Sequence, residues 1–233
     1  MTQTLFRRGL TIAYEGLDGA GKTTQIGLLA QRLEPEGHRL RLLRLNANHV
    51  FKNQCRLLNA HDLIGPVEAA LMKAAELAGR VDLLQPLVAA GTMLVWDKYV
   101  VGSIASDLAR GVSRAHADAI LESLPEPDVT VYLELTPEDA LARKASAGGP
   151  RVMESGLDVA FGSARQAHKK WAAGEIDVAT VAHHFLAFQA RMREAYEQYL
   201  PKGRTLRLDA RQPAAALADV TMRRVRELQV ACA

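Results

Sequence analysis

Gly16-Leu17-Asp18-Gly19-Ala20-Gly21-Lys22-Thr23-Thr24 decides the fold of this chain. A glycine, four residues and then Gly-Lys-Thr stand between the apolar run Leu10-Thr11-Ile12-Ala13-Tyr14 and an amphipathic stretch from Gln25 to Leu33. A strand that runs through a glycine-rich turn into a helix is a cradle for phosphate. Backbone N–H groups of the turn converge on phosphate oxygens and the helix adds its positive N-terminal end. In that arrangement Lys22 reaches the β- and γ-phosphates and Thr23 offers a hydroxyl to Mg²⁺. The implied ligand is ATP or GTP. A solvated lysine on a glycine-rich turn is the bland alternative, and the strand and helix on either side argue against it.

Outward from the cradle, apolar runs rich in Val, Ile and Leu recur at Leu40 to Leu45, Met93 to Trp96, Val129 to Leu135 and Thr205 to Leu208, alternating with helical patterns. Five strands alternating with helices predict an α/β chain with a five-stranded parallel sheet flanked by helices in three layers. Gly37 closes the first helix, Pro66 opens a long one that runs to Ala90 with Gly91 as its stop, and Pro137 starts another. Ala145 to Gly162 contains five Gly or Pro residues and one arginine, Arg151, and reads as a mobile lid. Ser163 to Ala173 and Asp177 to Tyr199 then read as helices with Gly174 between them.

A chain of 233 residues, 48% hydrophobic and 24% charged, buries a sizeable core and fits one α/β domain over residues 1–233 better than two small ones. A formal charge of +3 with scattered arginines gives no argument for nucleic-acid or membrane binding. Cys55 and Cys232 offer neither a disulfide framework nor metal-ligand spacing. The start of the chain has no segment of signal-peptide character, and no stretch approaches the ~20 apolar residues of a membrane span. These features fit a cytoplasmic enzyme.

Other candidate groups gather around the cradle. Asp97 ends the third strand at the sheet edge where ligands bind in such folds, placed to hold Mg²⁺ through water, to take a proton from the acceptor, or to cap the helix beginning at Tyr99. Asp18 lies inside the cradle, where a carboxylate needs a metal, an acceptor hydroxyl or a neighbouring cation beside it. Arg44 and Arg56 flank a polar segment after the second strand, and the planar fork of arginine suits phosphate.

Together these residues resemble those of bacterial thymidylate kinases. Ala13 to Gln25, AYEGLDGAGKTTQ, is similar to that family's loop, and Trp96-Asp97-Lys98-Tyr99 resembles its Asp-Arg-Tyr/His motif. Pro127-Asp128-Val129 through Leu141-Ala142-Arg143 resembles its fourth strand and lid-entry helix, and Leu208-Asp209-Ala210 with Gln212-Pro213 its late adenine-side turn. The resemblance implies transfer of the ATP γ-phosphoryl group to a nucleoside monophosphate, with Mg²⁺ and a homodimer. Residues Gly16 to Thr24 with Arg143 would bind ATP, and Thr23 and Asp97 would hold the metal. Lys22, Asp18, Asp97 and a lid arginine, Arg151, would carry the chemistry, with Arg143 as the second candidate for that arginine.

On the acceptor side the resemblance implies Arg44, Arg56, Glu76, Lys98, Ser103 and Asp107, and here the chain departs from the family. The Arg-Glu-Pro-Gly-Gly stretch appears as Arg44-Leu45-Asn46-Ala47-Asn48, and Lys98 replaces the arginine of the Asp-Arg motif with a point charge. Glu76 stands where an arginine faces the base, and Ser106-Asp107 where Tyr-Gln is common. An ionised carboxylate accepts hydrogen bonds and cannot donate them, so a pocket-facing Glu76 favours an amino-bearing acceptor such as a cytosine-type nucleotide. Surface ion pairs of Glu76 and Asp107 with Arg80 or Arg110 would instead leave dTMP as the acceptor. A further departure is an extra stretch at 156–181, either a solvated helical insertion or a cover for the acceptor or dimer contact.

Two other readings compete. A regulatory P-loop ATPase or GTPase is one, but a guanine-specific Asn-Lys-x-Asp signature does not occur. A binding-only relative is the other, opposed by the presence of Lys22, Thr23, Asp18 and Asp97 together.

Overall fold

β1 (Thr11–Gly16) is buried along nearly its whole length, as a strand with neighbours on both edges and helices on both faces must be. β3 (Met93–Asp97) and β4 (Val129–Glu134) share this pattern, whereas β2 (Leu40–Arg44) and β5 (Thr205–Asp209) are half exposed. The difference follows from position: the five strands form one all-parallel sheet in the order β2-β3-β1-β4-β5, with β2 and β5 at its edges. This computed structural model describes residues 8–45 and 49–231, without the side chains of His49, Val50, Lys52 and Arg56.

The helices in chain order are α1 (Lys22–Leu33), α2 (His49–Ala60), α3 (Pro66–Ala89), α4 (Val100–Ala109) and α5 (Arg114–Glu122), followed by α6 (Pro137–Ser146), α7 (Leu157–Ala160), α8 (Ala164–Ala172), α9 (Val178–Tyr199) and α10 (Ala214–Ala231). Right-handed crossovers dictate where they lie. The β1-to-β2 step runs one way across the sheet and every later step runs back. α1 therefore covers one face, where α10 packs against it, while α3, α4, α6 and α9 cover the other, with α4 packed on α9. At β1 the direction reverses, and the crevice outside its C-terminal end is where a ligand enters.

Local chemistry explains the helix starts. Pro66 takes the first position of α3, and the Glu68 carboxylate accepts from Gly65 N at 3.0 Å. Thr136 Oγ1 accepts from Asp139 N ahead of α6, and Asp177 Oδ1 accepts from Thr180 N at 2.7 Å ahead of α9. Asp97 does not cap α4: the helix starts at Val100 after Tyr99, whose own side chain makes no cap, and the first amides donate to Glu15 instead.

The main core spans the sheet and both helical layers. Residues 145–162, read from sequence as a mobile lid, contain α7 and join a second, smaller cluster. In it Val152 and Leu157 pack on Ala167 of α8 and Val181 of α9, with Phe161 and Ile176 beside them. Arg110 ties this cluster to α4, donating to Asp158 Oδ2 and to Met153 O at 2.7 Å each. The inserted stretch thus forms the floor under the lid residues. α2 has no counterpart among the expected elements.

Candidate active site

The register of the sheet gathers the site before any side chain is considered. Tyr14 of β1 lies opposite Asp97 of β3, and Asp97 lies opposite Arg44 of β2, so three strand ends present one row at the C-terminal edge. After β1 the chain turns sharply through Gly16, whose φ is 139° and where an added Cβ would stand 2.6 Å from Leu133 O. Gly21, with φ 95°, ends the turn in a left-handed conformation and delivers Lys22 as the first residue of α1. The N–H groups of that first turn have no intrahelical acceptor and face the cleft.

Lys22 folds back over its own loop, donating to Gly16 O and Leu17 O at 2.8 Å each. Burial and the neighbouring Lys98 charge bring its ammonium down to about 8 from an ordinary 10.5. A bound polyphosphate would remove that penalty. Thr23 Oγ1 donates to Asp97 Oδ2 at 2.8 Å, and Arg44 Nε stands 3.9 Å from the same carboxylate oxygen. Among the described residues no group of three or more His, Cys, Asp or Glu comes together. Thr23 and Asp97 bring two oxygens together that could serve Mg²⁺, an ion that keeps several waters and takes its remaining ligands from substrate phosphates.

Asp18 meets the third of the conditions set by its position, a neighbouring cation. Lys98 Nζ donates to Asp18 Oδ1 at 2.9 Å. Burial alone would push this carboxyl up, but the charges of Lys98 and Lys22 and the Lys98 hydrogen bond hold it well below the usual range. Burial likewise opposes the Lys98 charge, and Asp18, Glu15 and Asp97 reverse that and raise its pKa. Lys98 has a φ of 63°, a left-handed backbone for a residue with a side chain, while Lys98 N donates to Tyr14 O at 3.1 Å. A turn of this kind costs on the order of 1 kcal/mol or more and here sends the ammonium back to the cradle.

Beneath it lies Glu15, fully buried in β1. Its Oε1 accepts from Tyr99 N and Gly102 N at 2.9 and 3.0 Å, and its Oε2 from Tyr196 Oη at 3.2 Å. Burial raises its pKa, with the two backbone donors opposing. Glu15 thus pins the start of α4 to the strand that feeds the cradle.

From the lid side, Arg143 of α6 donates to Gly19 O, Ala20 O and Ala210 O, stapling the cradle to the turn after β5. Arg151 is exposed and lines a cleft of about 610 Å³ together with Asp18, Lys22, Thr23, Asp97, Lys98 and Arg44. Its guanidinium has no hydrogen-bond or ion-pair partner among the described residues. Lys144 pairs with Glu154 at 2.8 Å in the same wall.

The acceptor-side residues divide. Glu76 lines a groove of about 1360 Å³ that opens beside Thr23, Asp97 and Arg44, and it pairs with Arg80 one helical turn away. The pair is buried, not superficial: the two side chains keep 5% and 14% exposure, and Arg80 also donates to Arg44 O at 2.6 Å and lies over the Trp96 ring. Asp107 pairs with Lys73 of α3 and accepts from Ser103 Oγ, so its partner is not Arg110, which is held by Asp158. Asp107 and Lys73 line a separate cavity of about 670 Å³ between α2, α3, α4 and the lid cluster, and Phe51 lines both recesses. Arg56 lies on α2, but its side chain falls outside the described residues.

Sequence reasoning missed Glu15, Lys73, Lys144 and Gln189, and named Arg80 only as a surface ion-pair partner of Glu76. A carboxylate inside an apolar strand was a visible signal for Glu15. Gln189 is the one polar residue among the buried positions Phe185, Phe188, Met192 and Tyr196 of α9.

Comparison with known proteins agrees with this geometry. The sequence profile of thymidylate kinase matches residues 14–182. The chain belongs to the thymidylate kinase family. The thymidylate kinase of Caldanaerobacter subterraneus is 34% identical over 170 residues, covering 70% of this chain and 78% of that protein. That of Chlorobaculum tepidum is 32% identical over 196 residues, covering 81% and 83%. A solved thymidylate kinase from Candida albicans superposes with a TM-score of 0.67 over 95% of this chain and 93% of its own, and at 18% identity it speaks for the fold. As a thymidylate kinase family member, the chain is an enzyme that phosphorylates a nucleoside monophosphate to the diphosphate with ATP as donor.

Proposed function

We propose that the acceptor is dTMP and that Mg²⁺ accompanies ATP, within one catalytic unit in which residues 145–162 act as the lid. The observation that carries the acceptor is Arg80 beside Glu76. A lone carboxylate facing a thymine carbonyl would oppose two acceptors, at a cost of about 1–3 kcal/mol when buried. Arg80 neutralises Glu76 and brings guanidinium donors to the same wall, which removes the argument for an amino-bearing base.

In this reading the acceptor phosphate lies against Arg44 and Lys98, and one of its oxygens attacks the γ-phosphorus in line. The bond from that phosphorus to the β–γ bridging oxygen breaks, and ADP leaves. Lys22 exchanges the carbonyls of Gly16 and Leu17 for the β- and γ-phosphates, and the N–H groups of the cradle hold the donor still. Arg151 swings no great distance, since it already lines the cleft, and meets the charge on the transferring group. Thr23 and Asp97 would hold Mg²⁺, which when bound neutralises and orients the phosphates. Asp18 keeps Lys98 directed at the acceptor side.

The partner is a second copy of the chain. Leu71, Ala75, Gly79, Leu83 and Leu87 recur every four residues along α3 and are all exposed, Leu83 by 80%. An apolar stripe with small residues at its centre suits close approach of two helices. No helix among the described residues is long and apolar enough to cross a membrane, and a cytoplasmic setting is part of the proposal.

The acceptor is tested by kcat/KM for dTMP, dUMP, dCMP and CMP with saturating ATP and Mg²⁺. A preference for dTMP is expected. A preference for dCMP or CMP would return Glu76 to the base and overturn the assignment.

A further inference from the structure

Gln189 has no exposed surface and sits on a face of α9 otherwise apolar. A buried amide needs partners for its oxygen and both N–H groups. It finds them in two segments far apart in sequence. Its Oε1 accepts from Asp18 N at 3.3 Å, and its Nε2 donates to Asp18 Oδ2 at 3.4 Å and to Glu154 O at 2.9 Å. Asp18 belongs to the cradle and Glu154 to the turn that carries Arg151.

That turn is built as a rigid piece. Glu154 N and Ser155 N donate to Arg151 O, the Glu154 carboxylate accepts from Arg151 N and from Lys144, and the buried Ser155 hydroxyl donates to Arg151 O at 2.7 Å. Gly156 then passes so close to α9 that an added Cβ would stand 2.6 Å from the Phe188 ring. The turn is thus seated on α9 at two adjacent residues, by packing at Phe188 and by hydrogen bonding at Gln189. The other oxygen of Asp18 is held by Lys98, so one connected set of contacts joins Arg151's turn, Gln189, Asp18 and Lys98.

We infer that Gln189 is a positioning residue, which sets the Arg151 turn and the Asp18 carboxylate in one register so that the lid arginine and the acceptor-side lysine face the same phosphoryl group. With no exposed surface of its own, it acts through Asp18 and the turn that carries Arg151. The inference rests on the proposed role of Arg151, and its test contains an arm that does not.

That arm is limited trypsin digestion of the ligand-free protein, with cleavage followed after Arg151, whose side chain is exposed while its carbonyl and the next residue, Val152, are held in the turn. Gln189→Leu keeps the volume and removes every hydrogen bond, and Gln189→Asn keeps the amide but shortens its reach; either substitution should speed this cut about tenfold, in step with one or two lost hydrogen bonds. In steady-state kinetics both variants should lose about tenfold or more in kcat with the KM for ATP changed less than threefold. Asn serves if Leu fails to fold. Native cutting at Arg151 in a folded variant, or a kcat equal to native, overturns the inference. So does a loss confined to KM or a fall in thermal stability with kcat retained. If the native enzyme transfers no phosphoryl group to any nucleoside monophosphate, the functional reading fails by itself, while the digestion still decides whether Gln189 holds the turn.

Discussion

Glu15 shows how one buried residue connects stability to the site. Its carboxylate receives the first amides of α4 and the Tyr196 hydroxyl, yet burial raises its pKa above the ordinary 4.5. The groups that face it are Tyr196, with Lys98 and Lys22 as the nearby charges that partly relieve it. A carboxyl raised in the fold contributes stability below its unfolded value and loses it as pH rises through the folded value. Glu15→Gln keeps acceptors for Tyr99 N and Gly102 N and carries no charge. The variant should therefore gain stability relative to the native protein as pH rises above 4.5, measured as the difference in urea midpoint at pH 4, 6 and 8. A difference that shrinks with rising pH would contradict the assigned cause. At this scale the sequence is legible where a residue belongs to a spaced motif, as Lys22, Thr23 and Asp97 do. Gln189 and Arg80 belong to none, because their partners, Asp18 with Glu154 and Glu76 with Arg44 O, are brought to them by packing.

Among the elements, the strands were plain from sequence because β1, β3 and β4 are buried on both faces and so are largely apolar, with Glu15 and Thr130 as buried polar exceptions. α2 was not, since its sequence after Arg44 is largely polar and, among the described residues, it packs chiefly on α3 and α8. The stretch proposed as the lid was visible as Gly- and Pro-rich around Arg151, but its anchoring was not: Val152 and Leu157 acquire their core from Ala167 and Val181, residues of the inserted helices. This fixes what Arg151→Ala should do. The turn keeps its seat on α9, because its contacts run through Glu154, Ser155 and Gly156. Ground-state binding of ATP is left to the cradle, so kcat should fall on the order of a hundredfold or more while the KM for ATP changes far less. Steady-state kinetics with ATP varied at saturating dTMP reads the split, and a change in KM alone would transfer the role to Arg143.

Over the whole molecule, α3 serves more than one end. It supplies Val81, Leu84 and Val88 to the core, and its exposed stripe from Leu71 to Leu87 borders the groove, which Ala75, Gly79 and Leu83 line together with Glu76 and Arg80. A charge in the middle of that stripe should separate the two copies, so Leu83→Glu is expected to run as a monomer in light scattering where the native protein runs as a dimer. An unchanged native dimer in Leu83→Glu would move the interface elsewhere. The central claim is that the cradle, the strand-end carboxylate and the lid act together to move a phosphoryl group between two nucleotides. Its most direct test is to mix the enzyme with ATP, Mg²⁺ and dTMP and follow ADP and dTDP together, in the native protein and in Lys22→Ala. Equal amounts of ADP and dTDP are expected from the native enzyme, and a rate lower on the order of a hundredfold or more in the folded variant; ADP formed without dTDP, or a native rate in Lys22→Ala, would overturn this joint action.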